Sequence, residues 1–128
     1  MPNDEWINSL FDSINNKDTD GFCEFFTDNG EFRYGSPPAV KGKAAVNEYV
    51  EGFFSMIKSL THDITFSRTL DDGATLLVGG NVIYTCFDDT VVSIPFLNKL
   101  EMEGDLIRKY HVYADPAPLM EAVAAAQS

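Results

Sequence analysis

His62-Asp63-Ile64-Thr65-Phe66-Ser67-Arg68-Thr69-Leu70 is the stretch on which the fold turns. Ile64, Phe66 and Leu70 alternate with Asp63, Thr65, Ser67 and Thr69, a period of two that marks a strand with one buried face. Upstream of it the period is helical. Val46, Tyr49, Val50, Phe53, Phe54, Ile57 and Leu60 recur at i, i+3, i+4 and i+7 after Gly42 and predict one long helix. The chain therefore passes from helix to sheet at His62.

Toward the amino terminus, Trp6, Ile7, Leu10, Phe11 and Ile14 predict a first helix, capped by Asn3 or Asp4 and ended by Asn15-Asn16. Asp18 caps a short second helix with Phe22, Cys23, Phe25 and Phe26 as its apolar stripe, stopped by Asp28-Asn29-Gly30. Glu31 to Tyr34 reads as a short strand, with Phe32 and Tyr34 on one face and Glu31 and Arg33 on the other. Toward the carboxyl terminus, Asp71-Asp72-Gly73, Asp88-Asp89 and Glu103-Gly104-Asp105 read as turns, so four long strands follow one another as an antiparallel meander. Pro116 to Gln127 is a short Ala-rich helix with Leu119, Met120 and Val123 on its apolar side, placed to lie across the open end of the sheet. Three helices followed by strands give an α+β domain, its helices on one face of a curved sheet.

The 128 residues suit one domain, 1–128, with one core. Hydrophobic residues make up 45% and charged ones 23%, which excludes a disordered chain. A net charge of −11 repels phosphate backbones and anionic lipid, so neither nucleic acid nor a membrane is expected as a partner. No apolar run approaches the ~20 residues of a membrane span, and the polar, acidic start lacks a secretory pattern. A cytoplasmic protein is expected. Cys23 and Cys86 sit in apolar periodic segments, apart from any CxxC pair, and read as buried thiols. No His pair has metal-ligand spacing and no Gly-rich phosphate loop occurs, so neither a metal nor an organic cofactor is expected.

Polar interruptions of apolar rows point to a site. Val92, Ile94, Phe96, Leu100 and Met102 share a parity, and Asn98 stands among them. A buried amide needs partners, so Asn98 is either satisfied structurally or kept for a ligand. Asn81 interrupts the row Leu77, Gly79, Ile83 and Thr85 in the same way, beside a Gly79-Gly80 pair that predicts a bulge or a close approach to the backbone. The ordinary alternative is a solvent-facing Asn at a kink.

The stretches Phe32-Arg33-Tyr34-Gly35-Ser36-Pro37-Pro38-Ala39-Val40-Lys41-Gly42-Lys43, Ile94-Pro95-Phe96-Leu97-Asn98 and Tyr110-His111-Val112-Tyr113-Ala114-Asp115-Pro116 together resemble the SnoaL-like branch of the NTF2-like superfamily. The resemblance covers Trp6 to Leu119 and implies a cone, the cystatin-like α+β roll, with an apolar interior between the long helix and the sheet. The fold hosts isomerases, cyclases, epoxide hydrolases, dehydratases and binders, so it does not name a reaction. By resemblance Asp115 matches the acid/base aspartate of the cyclases and epoxide hydrolases, although Asp before Pro is also an ordinary helix cap. Other machinery is missing. Against ketosteroid isomerases, Leu10 stands where the oxyanion Tyr would be, Asn98 replaces the protonated Asp, and the base position falls at Arg33 or Tyr34; against the epoxide hydrolases, Gly79 and Asn81 replace an Arg and an Asp.

The expected function is a cofactor-independent enzyme acting on a small apolar or aromatic carbonyl or epoxide compound. Asp115 would be the general base, Asn81 and Asn98 would hold the substrate oxygen or a water, and Tyr34 or His111 would donate a proton. Phe53, Ile57, Phe96 and Trp6 would form the substrate's apolar surroundings. His62 is assigned a structural role at the helix end. The alternative is a non-catalytic ligand-binding or dimerisation module of the same fold. A homodimer is expected through the outer sheet face, where Val91, Ser93, Pro95 and Leu97 have the parity opposite Asn98.

Overall fold

The computed structural model describes residues 3–127, so residues 1, 2 and 128 of the expected domain lie outside the described residues. Asn3 caps α1 (Asp4–Asn15) by accepting from the Trp6 amide, and Asp18 caps α2 (Thr19–Cys23) by accepting from the Gly21 amide. Both follow from short polar side chains whose oxygen reaches an orphan amide one turn ahead. α2 ends before Phe25, and Phe26 opens β1 (Phe26–Tyr34), so Asp28-Asn29-Gly30 lie within a strand and do not end a helix. The register of β1 against its neighbour shifts between Phe26 and Glu31, and this irregularity absorbs the turn-like residues.

The two-residue β2 (Val40–Lys41) pairs with β1, and Gly42, at φ 90, turns the chain into α3 (Lys43–Ser55). α3 buries Val46, Val50 and Phe54, one turn apart, but stops earlier than its periodicity predicts. The Met56 and Ile57 amides fold back three residues to the carbonyls of Phe53 and Phe54, and the Lys58 amide then bonds Thr85 in the sheet. Ile57 is thus in the connection, and Leu60 belongs to β3 (Ser59–Leu70).

β3, β4 (Thr75–Thr85), β5 (Val91–Glu103) and β6 (Leu106–Tyr113) form the antiparallel meander, and β1 joins it parallel to β6. The sheet order is β2-β1-β6-β5-β4-β3, with α4 (Ala117–Ala126) packing Leu119 and Val123 inward while Met120 stays exposed. This is the expected α+β roll.

Gly79 and Gly80 shape its bend. A Cβ on Gly80 would lie 2.0 Å from the Asp63 carbonyl oxygen, and one on Gly79 would lie 2.4 Å from the Phe66 ring. Opposite them the β3 register slips between Ile64 and Phe66. What approaches the glycines is therefore the neighbouring strand. At the other side of the cone Phe22 meets Phe26, Phe32 and Tyr110 edge to face, contacts worth about 0.5–1.5 kcal/mol each beyond the area they bury.

Candidate active site

Between α3 and the concave sheet face lies a cavity of about 520 Å³ of atom-free space, its mouth included. Phe32, Phe53, Phe54, Phe96 and Val112 make it mostly apolar; its polar groups come from Tyr34, Tyr49, His62, Tyr84, Asn98 and Tyr110.

Asn98 occupies the inward row of β5, as its parity predicts, and is 2% exposed. Its Nδ2 donates to the Tyr110 hydroxyl at 2.9 Å, while Oδ1 is buried and has no partner among the described residues. An unsatisfied buried acceptor costs on the order of 1–3 kcal/mol, so this is where the site departs from a settled core. Burial pushes the Tyr110 hydroxyl well above the ordinary phenol range, and the bond from Asn98 offsets only part of it.

The Tyr34 and Tyr84 hydroxyls share a hydrogen bond of 3.0 Å. Burial raises the pKa of both: at Tyr34 the bond from Tyr84 works against the rise, and at Tyr84 the nearby Tyr34 adds to it. Both therefore stay protonated near neutrality. Each tyrosine sits on an inward row, Tyr34 from β1 and Tyr84 from β4, with the Phe53 ring packed on both.

His62, on β3, has Nδ1 2.7 Å from Asn15 Oδ1. The amide oxygen only accepts, so Nδ1 carries the hydrogen and Nε2 keeps its lone pair. Desolvation among Phe11 and Phe96, whose rings meet the imidazole edge-on, lowers its pKa to about 4. The imidazole is neutral near pH 7. A neutral histidine, several protonated tyrosines and an asparagine thus belong to the lining of one apolar space, with no carboxylate among the lining residues.

Four of the residues expected from sequence line this cavity: Tyr34, Phe53, Phe96 and Asn98. The other five lie elsewhere. Asn81 is on the outer face of β4, because the inward row is Leu76, Val78, Val82 and Tyr84. His111 also faces outward, stacked on Tyr113 with ring centroids 3.8 Å apart and donating from Nε2 to the Gly35 carbonyl. Asp115 is exposed past the end of β6, one position before Pro116, which occupies the N-cap of α4; its Oδ1 accepts at 3.0 Å from the amide of Ala117, the first residue of that helix. Its charge still reaches the Tyr34 hydroxyl and contributes to raising that group's pKa. Trp6 donates from Nε1 to the Asp105 carbonyl and packs edge-on against Phe25, pinning α1 to the β5–β6 turn. Ile57 is wholly buried behind the cavity wall, its carbonyl taking a bond from the Lys17 ammonium.

The cysteines are free and buried, and among the described residues no group of three or more His, Cys, Asp or Glu is placed to hold a metal. None of the described helices is long and apolar enough to cross a membrane.

A concave, mostly apolar cavity with a few placed polar groups is the usual form of a small-molecule site. The family model of the SnoaL-like domain matches residues 7–110, and the chain belongs to that family. None of the curated proteins matches it. Among solved structures, TerC co-crystallised with polyporic acid superposes with a TM-score of 0.77 at 14% identity, over 94% of this chain and 96% of that one. The epoxide hydrolase/cyclase-like enzyme SalBIII, of pyran ring formation in the polyether salinomycin, superposes at 0.76 and 20% identity over 88% and 90%. A protein from Catenulispora acidiphila with the ketosteroid isomerase-like fold, in complex with trimethylamine, gives 0.76 at 13% over 88% and 86%. These likenesses establish the fold, that of a family whose members bind small molecules.

Proposed function

We propose that the protein is a cofactor-independent enzyme of the isomerase, cyclase or hydrolase kind, acting on a small, largely apolar carbonyl or epoxide compound. The observation that carries this reading is the Tyr34–Tyr84 hydroxyl pair, which shares an apolar cavity with a neutral His62 whose Nδ1 is tied to Asn15. Protonated phenols held at a fixed separation are donors for a carbonyl or epoxide oxygen, and in an apolar space such donors act more strongly than in water. His62 Nε2 takes the place foreseen for the Asp115 carboxylate as proton acceptor. In an enolisation, the α C–H proton moves to Nε2, the C–H pair forms the new C=C bond, the C=O π pair moves onto the oxygen, and the resulting enolate oxygen takes the hydrogen bond of the tyrosine pair. Return of the proton at another carbon completes an isomerisation. A base with a pKa near 4 is weak, but it is unprotonated and available at neutral pH.

The test is exchange of α-protons of small cyclic ketones into deuterated water, followed by proton NMR. His62→Gln and Tyr84→Phe are expected to lose ~10²-fold or more, the usual share of a positioned acid or base, whereas Asp115→Asn keeps the native rate. Exchange lost only in Asp115→Asn would restore the aspartate base. Ligand binding without exchange in any form would mark the protein as a binding module.

We also propose that it is a homodimer, through the outer sheet face on which Val91 is 62% and Leu97 36% exposed.

A further inference from the structure

We infer that the ligand of this cavity is an uncharged molecule carrying a hydroxyl group at its inner end, and that this hydroxyl donates to Asn98 Oδ1. This rests on the small-molecule reading above and narrows it to a substrate class, hydroxylated neutral ring compounds such as phenols and enols. The observation is the orphaned oxygen. Asn98 is 2% exposed and is one of the cavity's lining residues, its Nδ2 is engaged by Tyr110, and its buried Oδ1 has no partner among the described residues. The free atom is an acceptor, so it answers a donor on the ligand and not a carbonyl. The role expected from the sequence, in which Asn98 holds the substrate oxygen or a water, is thereby narrowed to acceptance from a ligand hydroxyl.

Charge selects in the same direction. The cavity wall presents aromatic rings, protonated phenols and a neutral imidazole, with no Lys, Arg, Asp or Glu among its lining residues. An anion or cation would leave water without finding a counter-charge there, while a hydroxyl needs only one acceptor. Position fixes the size. Tyr34 is in register with Val112, and Val112 with Asn98, so Tyr34 and Asn98 stand two strands apart in one cross-sheet row, roughly 10 Å between backbones. A molecule of one or two rings spans from the Asn98 oxygen to the tyrosine pair, with its hydroxyl at one end and its reacting oxygen toward the other.

The experiment measures binding of three probes to the full chain by fluorescence and NMR: 2-naphthol, its methyl ether 2-methoxynaphthalene, and the anion 2-naphthoate. 2-Naphthol is expected to bind about tenfold more tightly than the ether, with the anion weakest. In Asn98→Leu the naphthol-to-ether ratio falls to about one, because the acceptor is gone and the apolar surface is kept. On the native protein, which does not depend on that variant folding, the Asn98 side-chain carbonyl resonance shifts with 2-naphthol and not with the ether. Equal binding of naphthol and ether, or a preference that survives in Asn98→Leu, overturns this inference while the small-molecule reading stands. Failure of all three probes to bind overturns both.

Discussion

Lowering the pH toward ~4 destabilises the protein through His62, and the size of the loss follows from its surroundings. In the unfolded chain the imidazole takes up a proton near its model value of 6.5; in the fold, desolvation delays this to about 4. The folded state therefore favours the neutral ring. That contribution is complete above the unfolded value, shrinks as pH falls between the two, and is gone below the folded one. About 2.5 pH units at ~1.36 kcal/mol each give roughly 3 kcal/mol, a ceiling because the ring is only partly buried. The Asn15 bond does not change this, since Nδ1 donates to Asn15 Oδ1 in both the neutral and the charged form. Urea unfolding of the native protein and of His62→Gln at several pH values between neutrality and ~4 isolates the effect, because protonation of surface carboxylates is common to both. The native protein should lose up to roughly 3 kcal/mol more than the variant over that interval. A difference that stays constant within ~0.5 kcal/mol would refute the desolvated imidazole.

Asp115→Ala should lower stability by about 1 kcal/mol in thermal unfolding, the worth of a side-chain bond to the Ala117 amide, and leave ligand affinity unchanged. Gly80→Ala forces a Cβ to within 2.0 Å of the Asp63 carbonyl, where no flexible side chain can yield; a loss of ~3 kcal/mol or more, or failure to fold, should appear in denaturant unfolding. Leu97→Glu, on the outer face, should convert a dimer to a monomer in light scattering without changing the unfolding of the monomer; a native protein that is already monomeric sinks the dimer proposal.

Much of the architecture was legible because it is written in periods. The three turn clusters and the β5 row with Asn98 at an inward position each carry their own physical cause, and each has its counterpart in the structure; the alternation after His62 gives the strand β3 but not its buried face, because past the register slip at Ile64 and Phe66 both Phe66 and Leu70 are exposed. The site was legible only in part, and the misplacements share one reason. As the polar member of its row Asn81 suggests either an inward position or a solvent-facing one, and the row of Val78, Val82 and Tyr84 is the more apolar and the one the core takes. Once that row is inward, Tyr84 brings a hydroxyl into the cavity. A tyrosine in an apolar row reads as packing, so nothing in the sequence singles out Tyr84 and Tyr110, and only the pairing across strands shows that their hydroxyls meet Tyr34 and Asn98. The apolar periodicity that runs on to Leu60 places His62 at a helix end. With the helix ending at Ser55, His62 is well inside β3 and its ring enters the cone.

A chain of net charge −11 with an uncharged cavity separates two electrical tasks. Its carboxylates sit on the outside, where hydration makes them inexpensive, and Asp115 is the instructive case: near enough for its field to oppose ionisation of Tyr34, yet exposed and bonded to the Ala117 amide. A negative field around a phenol keeps its proton in place, so the tyrosine pair remains a donor across the range in which His62 remains an acceptor. Acid and base are then set by environment alone, the tyrosines held protonated and the imidazole held neutral by the same desolvation. If that is how the site works, neutralising the field at Asp115→Asn should lower the Tyr34 pKa slightly without altering His62, which the tyrosine ring-carbon resonances of the native and variant proteins would report in a high-pH titration. A shift of His62 in that variant would mean that the two groups are coupled through the cavity, and that the acid and base are not independently set.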